Sequence, residues 1–285
     1  MLLKKIKEDE IYSTLVFAII LFVVLPFLPN NTYGPLGVFN PYRTWLMVVL
    51  ICGISYIGYF MIRIFGSKKG IIMTGLLGGL VSSTAVTMAM AEKSKDDKNR
   101  NSVNMMVFGT IVANTVMFIR VIVTVFIVNK TLLKEFVPSI LAMSLAGIFS
   151  CGVFWFLGHK SQSKAEVVHK SPFRIAPALK FGVFFVVVLF SLKVAQMHLG
   201  SLGIYIASTL SGFVDVDAVT LSMATIAGTE ISGKVAATSI MLAVISNTLI
   251  KMGYSIVFGS KEFSRKLGVI MIIMVLLGIA ALFVF

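Results

Sequence analysis

The chain has 285 residues, of which 58% are hydrophobic and 13% charged, and its formal net charge is +13. A soluble globular domain carries about 25% charged residues, so the composition excludes that class and predicts an integral membrane protein. In such a protein, excess Lys and Arg is typical of cytoplasmic loops near anionic lipid, and the charge therefore indicates no nucleic-acid partner.

Apolar runs long enough to span a bilayer, about 20 residues each, follow one another along the chain. They cover residues 11–29, 43–66, 70–91, 103–128, 133–158, 175–198, 202–225, 235–258 and 267–285. The first run is too long for a signal peptide and ends in LPFLPNN instead of a small-residue cleavage site. We expect an all-α fold with little structure outside the membrane.

The run 70–91 contains the glycine-rich and hydroxyl-rich stretch GLLGGLVSSTAVTMAMA. This composition favours an interrupted or re-entrant helix. Thr84 precedes AVTMAMA in the manner of an N-cap residue that opens a half-helix. The alternative is a continuous helix in which Gly75 and Gly79 form a face for close helix packing.

Polar side chains lie inside two other runs. Asn114 and Asn247 each fall near the centre of their run, and each is followed by Thr. An amide at that depth needs polar partners, which either another helix or a ligand can provide. Arg120 and Lys251 lie nearer the ends of the same two runs, where they could balance charge or control a gate.

The run 202–225 contains GFVDVDAVTLSMA, which places Asp215 and Asp217 in an apolar segment. A charge at membrane depth costs roughly 2.5 to 3.5 kcal/mol on the mildest scales. On a continuous helix these side chains would point about 200° apart, so an unwound turn is needed for them to share a site. We expect Asp217 to cap the following half-helix, which leaves Asp215 as the stronger candidate for function.

The chain repeats itself at an offset of 133 residues. GLVSSTAVTMAMA (79–91) matches GFVDVDAVTLSMA (212–224) at seven of thirteen positions, and Asn114-Thr115 falls on Asn247-Thr248. Internal repeats are a recurring plan of membrane transporters, with the substrate site where the repeats meet. The predicted divisions are an N-terminal helix and outer loop (1–40), repeat 1 (41–158), a basic cytoplasmic linker (159–173) and repeat 2 (174–285).

The distribution of Lys and Arg favours inverted repeats over parallel ones. If every run crosses the membrane, the two sides carry nearly equal positive charge. If runs 70–91 and 202–225 return to the side from which they came, seventeen Lys and Arg residues face the cytoplasm and four face outward, as the positive-inside rule expects. The sequence therefore predicts about seven full transmembrane helices plus two re-entrant or interrupted segments, with a cytoplasmic N-terminus.

Other motifs give no support for an enzyme. GTEISGKV (228–235) imitates a phosphate-binding loop, but Val235 replaces the required Ser or Thr and no strand precedes it. His159, His169 and His198 lack metal-ligand spacing. We expect no catalytic residues and no cofactor.

The stretches GLLGGLVSSTAVTMAMA, SPFRIAPALKFG, LSGFVDVDAVTLSMA and ISNTLIKMG carry a resemblance to a known family. The chain resembles the poorly characterised bacterial and archaeal membrane domain that often follows an MgtC/SapB-type domain, here standing alone. The resemblance covers essentially the whole chain. It implies a multi-pass protein of a prokaryotic inner membrane and, by association alone, a link to cation homeostasis.

The sequence predicts a transporter or channel for an inorganic cation such as Mg²⁺, Mn²⁺ or Na⁺, or one coupled to sodium or protons, because carboxylates, hydroxyls and unwound carbonyls suit hard cations. Asp215 and Asp217 are the candidate metal ligands. The other candidate ion ligands are Asn114, Asn247, Ser82, Thr84, Thr87 and Thr220. The alternatives are an anion or small polar solute attracted by Arg120 and Lys251, or a non-transporting partner of an MgtC/SapB-type protein. Expected partners are the bilayer, a small ion and further copies of this chain.

Overall fold

The computed structural model describes residues 8–65, 70–95, 102–158 and 175–284. Within these ranges the chain is helical apart from short turns, and its β interactions are the isolated bridges Tyr33–Phe39 and Ala227–Ile231. The predicted all-α class is confirmed. The predicted linker 159–173 lies outside the described residues.

The helices follow the predicted apolar runs closely. They are α1 (Glu8–Ile19, continued by a π-helical turn at Ile20–Val24 and an α-helical turn at Leu25–Phe27), α2 (Pro41–Phe65), α3 (Gly70–Ser94), α4 (Val103–Val128), α5 (Leu133–Gly158), α6 (Ile175–Val214), α7 (Val216–Ile226), α8 (Gly233–Phe258) and α9 (Lys261–Val284). Six stretches of the described chain are long and apolar enough to cross a membrane: Met73–Ser94, Val103–Val128, Lys130–Leu157, Leu179–Val214, Gly233–Phe258 and Lys261–Val284. These helices are compatible with a multi-pass membrane protein.

Helix α3 is broken at Ser82, whose φ of −164° and ψ of 104° are extended instead of helical. A methyl group added at Gly109 of α4 would lie 2.6 Å from Ile71 and 3.5 Å from Met90, which are near opposite ends of α3. A continuous helix would hold these two residues far apart at 1.5 Å per residue. The two halves of α3 therefore lie side by side, and we call residues 70–94 hairpin 1.

A second helical hairpin begins after a break at Gly200 and has a further break, at Asp215, as its tip. Gly200 interrupts α6 with a φ of 58°, a left-handed conformation that glycine adopts at little cost. Asp215 separates α6 from α7 with a φ of −155° and a ψ of 123°. Ile204 and Ile226, near the two ends of this segment, line one cavity together with Lys193. The segment therefore returns to the place where it began, and we call residues 201–226 hairpin 2.

The breaks at the two tips occupy equivalent positions of the repeat, because Ser82 and Asp215 are related by the offset of 133 residues. Glycines bring both hairpins close to their neighbours. A methyl group added at Gly79 would lie 2.8 Å from the Cα of Ala113 in α4, and one added at Gly212 would lie 2.6 Å from the Cα of Ala243 in α8. Glycine packing and helix interruption thus occur together.

We expect Gly79→Ala to destabilise the protein by about 1 to 3 kcal/mol, because the added methyl group overpacks a contact with backbone on the other side. The measurement is thermal unfolding of the full chain in detergent. Gly253→Ala in α8 is the matched control, since a methyl group there meets no atom within 4 Å, and Ala is favoured over Gly in a helix by about 1 kcal/mol. Equal melting temperatures for the two variants would contradict the close packing of hairpin 1.

Candidate functional site

Arg120 of α4 connects the tips of both hairpins. Its Nη1 donates a hydrogen bond to the carbonyl oxygen of Leu80 at 2.9 Å, just before the break in hairpin 1. Its Nη2 forms an ion pair with Asp217 of hairpin 2. Both side chains are buried, so the charged pair is shielded from solvent and is sensitive to the loss of either partner.

Lys251 of α8 also binds the tip of hairpin 1. Its side chain is fully buried, and Nζ lies 2.8 Å from Ser83 Oγ, 3.0 Å from Asn114 Oδ1 and 2.8 Å from Met117 Sδ. All three partners are uncharged. No ion pair between described residues joins a carboxylate to Lys251.

The two half-helices are capped at the break residues, and the predicted caps at Thr84 and Asp217 are wrong by two positions. Asp215 Oδ1 accepts hydrogen bonds from the backbone N–H groups of Asp217 at 2.7 Å and Ala218 at 3.0 Å. Ser82 Oγ accepts one from Ala85 N–H at 3.2 Å. The break residue is the last one with extended backbone, which is the geometry of an N-cap, and Asp217 is left free to pair with Arg120.

The remaining predicted residues divide into two groups. Asn247 Nδ2 donates to the carbonyl oxygen of Gly212 at 3.0 Å, and Asn114 contacts Lys251, so both asparagines adjoin the hairpin tips. Thr87 and Thr220 are buried, but each hydroxyl donates to the carbonyl four residues earlier in its own half-helix. Thr84 is half-buried beside Ser83.

The sequence reasoning did not identify the hydroxyl of Ser83 or the thioether of Met117, and it expected unwound carbonyl groups without assigning them to Leu80 and Gly212. Ser83 could have been found from the spacing, because Ser83 and Thr87 share one face of a helix that starts after Ser82. The carbonyl groups could not, since any backbone can provide them once a helix is interrupted.

The formal charges of the cluster balance, with Arg120 and Lys251 against Asp215 and Asp217. The hydrogen-bonding groups of the cluster, however, are not all satisfied. Oδ1 of Asp217 and Nε of Arg120 are buried without a hydrogen-bond partner among the described residues, and a buried polar atom in that state points to a water molecule or ion. Within the same residues, no group of three or more His, Cys, Asp or Glu side chains is placed to hold a metal ion.

A separate cavity of about 90 Å³ lies where the two ends of hairpin 2 meet α6 and the loop before α2. Its walls include Asn40, Arg43 and Gln196, together with the Lys193–Glu230 ion pair. One water molecule needs about 10 to 15 Å³ of such volume, so the cavity accommodates several water molecules. Polar walls therefore adjoin the ends of hairpin 2.

The model of the family described as "Domain of unknown function (DUF4010)" matches residues 49–259, which include both hairpins and both helices that contact their tips. The chain belongs to this family. It is also similar to an uncharacterised protein of Aquifex aeolicus (strain VF5), with 37% identity over 195 residues, which are 67% of this chain and 84% of that protein. No solved structure matches the chain.

We expect Arg120→Met to lower the free energy of unfolding by about 3 to 5 kcal/mol, because it leaves Asp217 as an unpaired buried charge. The double variant Arg120→Met/Asp217→Leu should recover most of that loss. Denaturant unfolding of the full chain in detergent measures both values, and the two single variants complete a double-mutant cycle.

The control for this cycle is Glu262→Gln, which removes the exposed ion pair between Glu262 and Lys266, one helical turn apart. Such pairs contribute about 0.3 to 0.5 kcal/mol. If Arg120→Met were no more destabilising than this control, the ion pair between α4 and hairpin 2 would not exist in the folded protein.

Proposed function

We propose that the chain is a membrane transporter built from two inverted repeats, with seven full spans, two re-entrant hairpins and a site between the hairpin tips. The order of contacts along α4 supports this arrangement. Gly109 touches both ends of hairpin 1, Arg120 touches both tips, and Asn129 Nδ2 donates to the carbonyl oxygens of Ala224 and Ala227, both at 3.2 Å. Hairpins that approach from opposite ends of one helix are what inverted repeats produce.

The transported or coupled ion is an inorganic cation, and the buried, unpartnered Oδ1 of Asp217 is the observation that carries this proposal. A carboxylate oxygen in a low-dielectric setting gains most from a cation. Asp215 is two residues away at the same break, and the carbonyl groups of Leu80 and Gly212 lie at the two tips, where Arg120 and Asn247 bind them. These are the all-oxygen ligands that hard cations prefer.

A monovalent cation such as Na⁺, or a proton, fits the cluster better than Mg²⁺ or Mn²⁺. Arg120 and Lys251 already balance the charges of Asp215 and Asp217, so every added charge is uncompensated until a second ligand arrives. The free-energy cost of an unpaired charge in a low-dielectric medium rises steeply with its size. A divalent ion would therefore be held much less readily.

Two other proposals rest on the sequence. The domain that the chain resembles often follows an MgtC/SapB-type domain, which suggests a role as a partner of such a protein. Assembly into homo-oligomers is expected from the membrane setting of the chain. Both stay predictions. Co-purification of a stable partner, together with vesicles that transport nothing, would favour the first over transport.

Membrane-impermeant cysteine labelling tests the inverted arrangement. In a chain with Cys52 and Cys151 replaced by Ala, single cysteines at positions 95 and 164 should react only from the cytoplasmic side. A single cysteine at position 130 should react only from outside, because α4 would cross the membrane between positions 95 and 130. Reaction of positions 95 and 164 from outside would exclude the two re-entrant hairpins.

Flux in reconstituted vesicles tests the function. We expect ²²Na⁺ uptake or proton-driven exchange by the wild-type chain, and a loss of at least about tenfold in Asp217→Asn and Asp215→Asn, because each removes a full charge from the cation site. Glu262→Gln, which neutralises an exposed carboxylate, should retain wild-type flux. Cation flux unaltered by Asp215→Asn and Asn114→Ala would reject this site.

A further inference from the structure

We infer that a small oxyanion, of carboxylate type, binds at the tip of hairpin 1 and is the solute that moves with the cation. Its ligands are the ammonium group of Lys251, the hydroxyl of Ser83 and the backbone N–H groups that open the half-helix 83–94. This inference rests on the proposed transport function, and it assigns that function a second ligand. Three features of the hairpin tips support the inference of an anion site.

The first feature is a difference between two equivalent half-helix N-termini. The repeat offset places Ser82 on Asp215, and both residues are extended and cap the half-helix that follows. Helix N-termini attract negative charge. Hairpin 2 satisfies this preference with its own carboxylate on two N–H groups, whereas hairpin 1 offers only a neutral hydroxyl in the same place.

The second feature is a positive charge beside this neutral cap. Lys251 is 0% exposed, and its ammonium group reaches Ser83 with uncharged acceptors only. One of these, Met117 Sδ, is a weak acceptor that an oxyanion would replace with gain. Asp217 and Asp215 act on Lys251 electrostatically, but among the described residues no carboxylate lies within ion-pair distance of its ammonium group. Burial of that group is costly, and a bound anion would lower the cost.

The third feature is that the nearby carboxylates are engaged elsewhere. Asp217 pairs with Arg120, and Asp215 accepts hydrogen bonds from the N-terminus of its own half-helix. Neither forms an ion pair with Lys251 within the described part of the chain. The carboxylate of Asp215 occupies the equivalent position on hairpin 2. We therefore expect hairpin 1 to bind the carboxylate group of a ligand in the same position.

Ligand-dependent thermal stability of the purified full chain tests the inference without requiring transport. The probes are sodium succinate, sodium phosphate and sodium sulfate, each compared with sodium chloride at equal ionic strength. We expect at least one oxyanion to raise the melting temperature of the wild type in a saturable manner. Lys251→Met should weaken that oxyanion's binding at least tenfold, and Ser83→Ala should weaken it less. Lys180→Met, at an exposed position of α6, should leave it unchanged.

Ser82→Asp is the sharpest variant, because it supplies hairpin 1 with the carboxylate that hairpin 2 already has. It should raise the melting temperature of the chain without added oxyanion and abolish the further increase on adding it. This variant adds a charge partner for Lys251 and removes no buried contact of the lysine. Its melting temperature is therefore informative even if Lys251→Met fails to fold.

The outcomes separate the two proposals. If no oxyanion stabilises the wild type, or if stabilisation persists in Lys251→Met and Ser82→Asp, the anion site is overturned, even when cations are transported. If oxyanions bind as expected but vesicles show no flux of any ion, the site stands and the transport function is overturned.

Discussion

A helix that stops inside a buried, apolar interior leaves backbone N–H and C=O groups without partners, and each unsatisfied group costs several kcal/mol there. Both hairpins contain such a stop, at Ser82 and Asp215. The carbonyl groups before the stops are bound by Arg120 and Asn247, and the N–H groups after them are capped by the break residues. Polar residues of α4 and α8 therefore have a structural role, which is to satisfy the backbone at the breaks, whether or not a ligand binds.

Close packing makes this arrangement possible. A guanidinium or amide group reaches a carbonyl on a neighbouring helix only if the backbones approach closely, and Gly79 and Gly212 permit that approach beside Ala113 and Ala243. The close contact buries Arg120, Asp217 and Lys251 and leaves a low-dielectric environment around their charges, while Val214 beside the break of hairpin 2 is exposed. In that environment each unpaired charge or polar atom has a large effect on stability. The formal neutrality of the cluster therefore favours the folded state.

Sequence reasoning was most successful where the signal is local. Apolar length predicted the bounds of α4 and α5 as the structure has them, and the repeat located both interruptions. It failed at the caps, because Asp215 and Asp217 are equally good cap residues and only the backbone decides which one is extended. It also could not pair Arg120 with Asp217 or Lys251 with Ser83, since these partners are far apart in the chain and meet only through tertiary packing.

The two tips share a backbone design but differ in charge, and this difference constrains any transport cycle. Under the proposed function, a cation alone would leave the cluster with a net positive charge, and an anion alone would leave it negative. Either state carries the cost of an isolated charge in a medium of low dielectric constant, whereas opposite charges a few ångströms apart attract strongly there. Under the two proposals, joint occupation of the two tips would be the least costly loaded state, and it would couple the movement of one ion to that of the other without a separate gate.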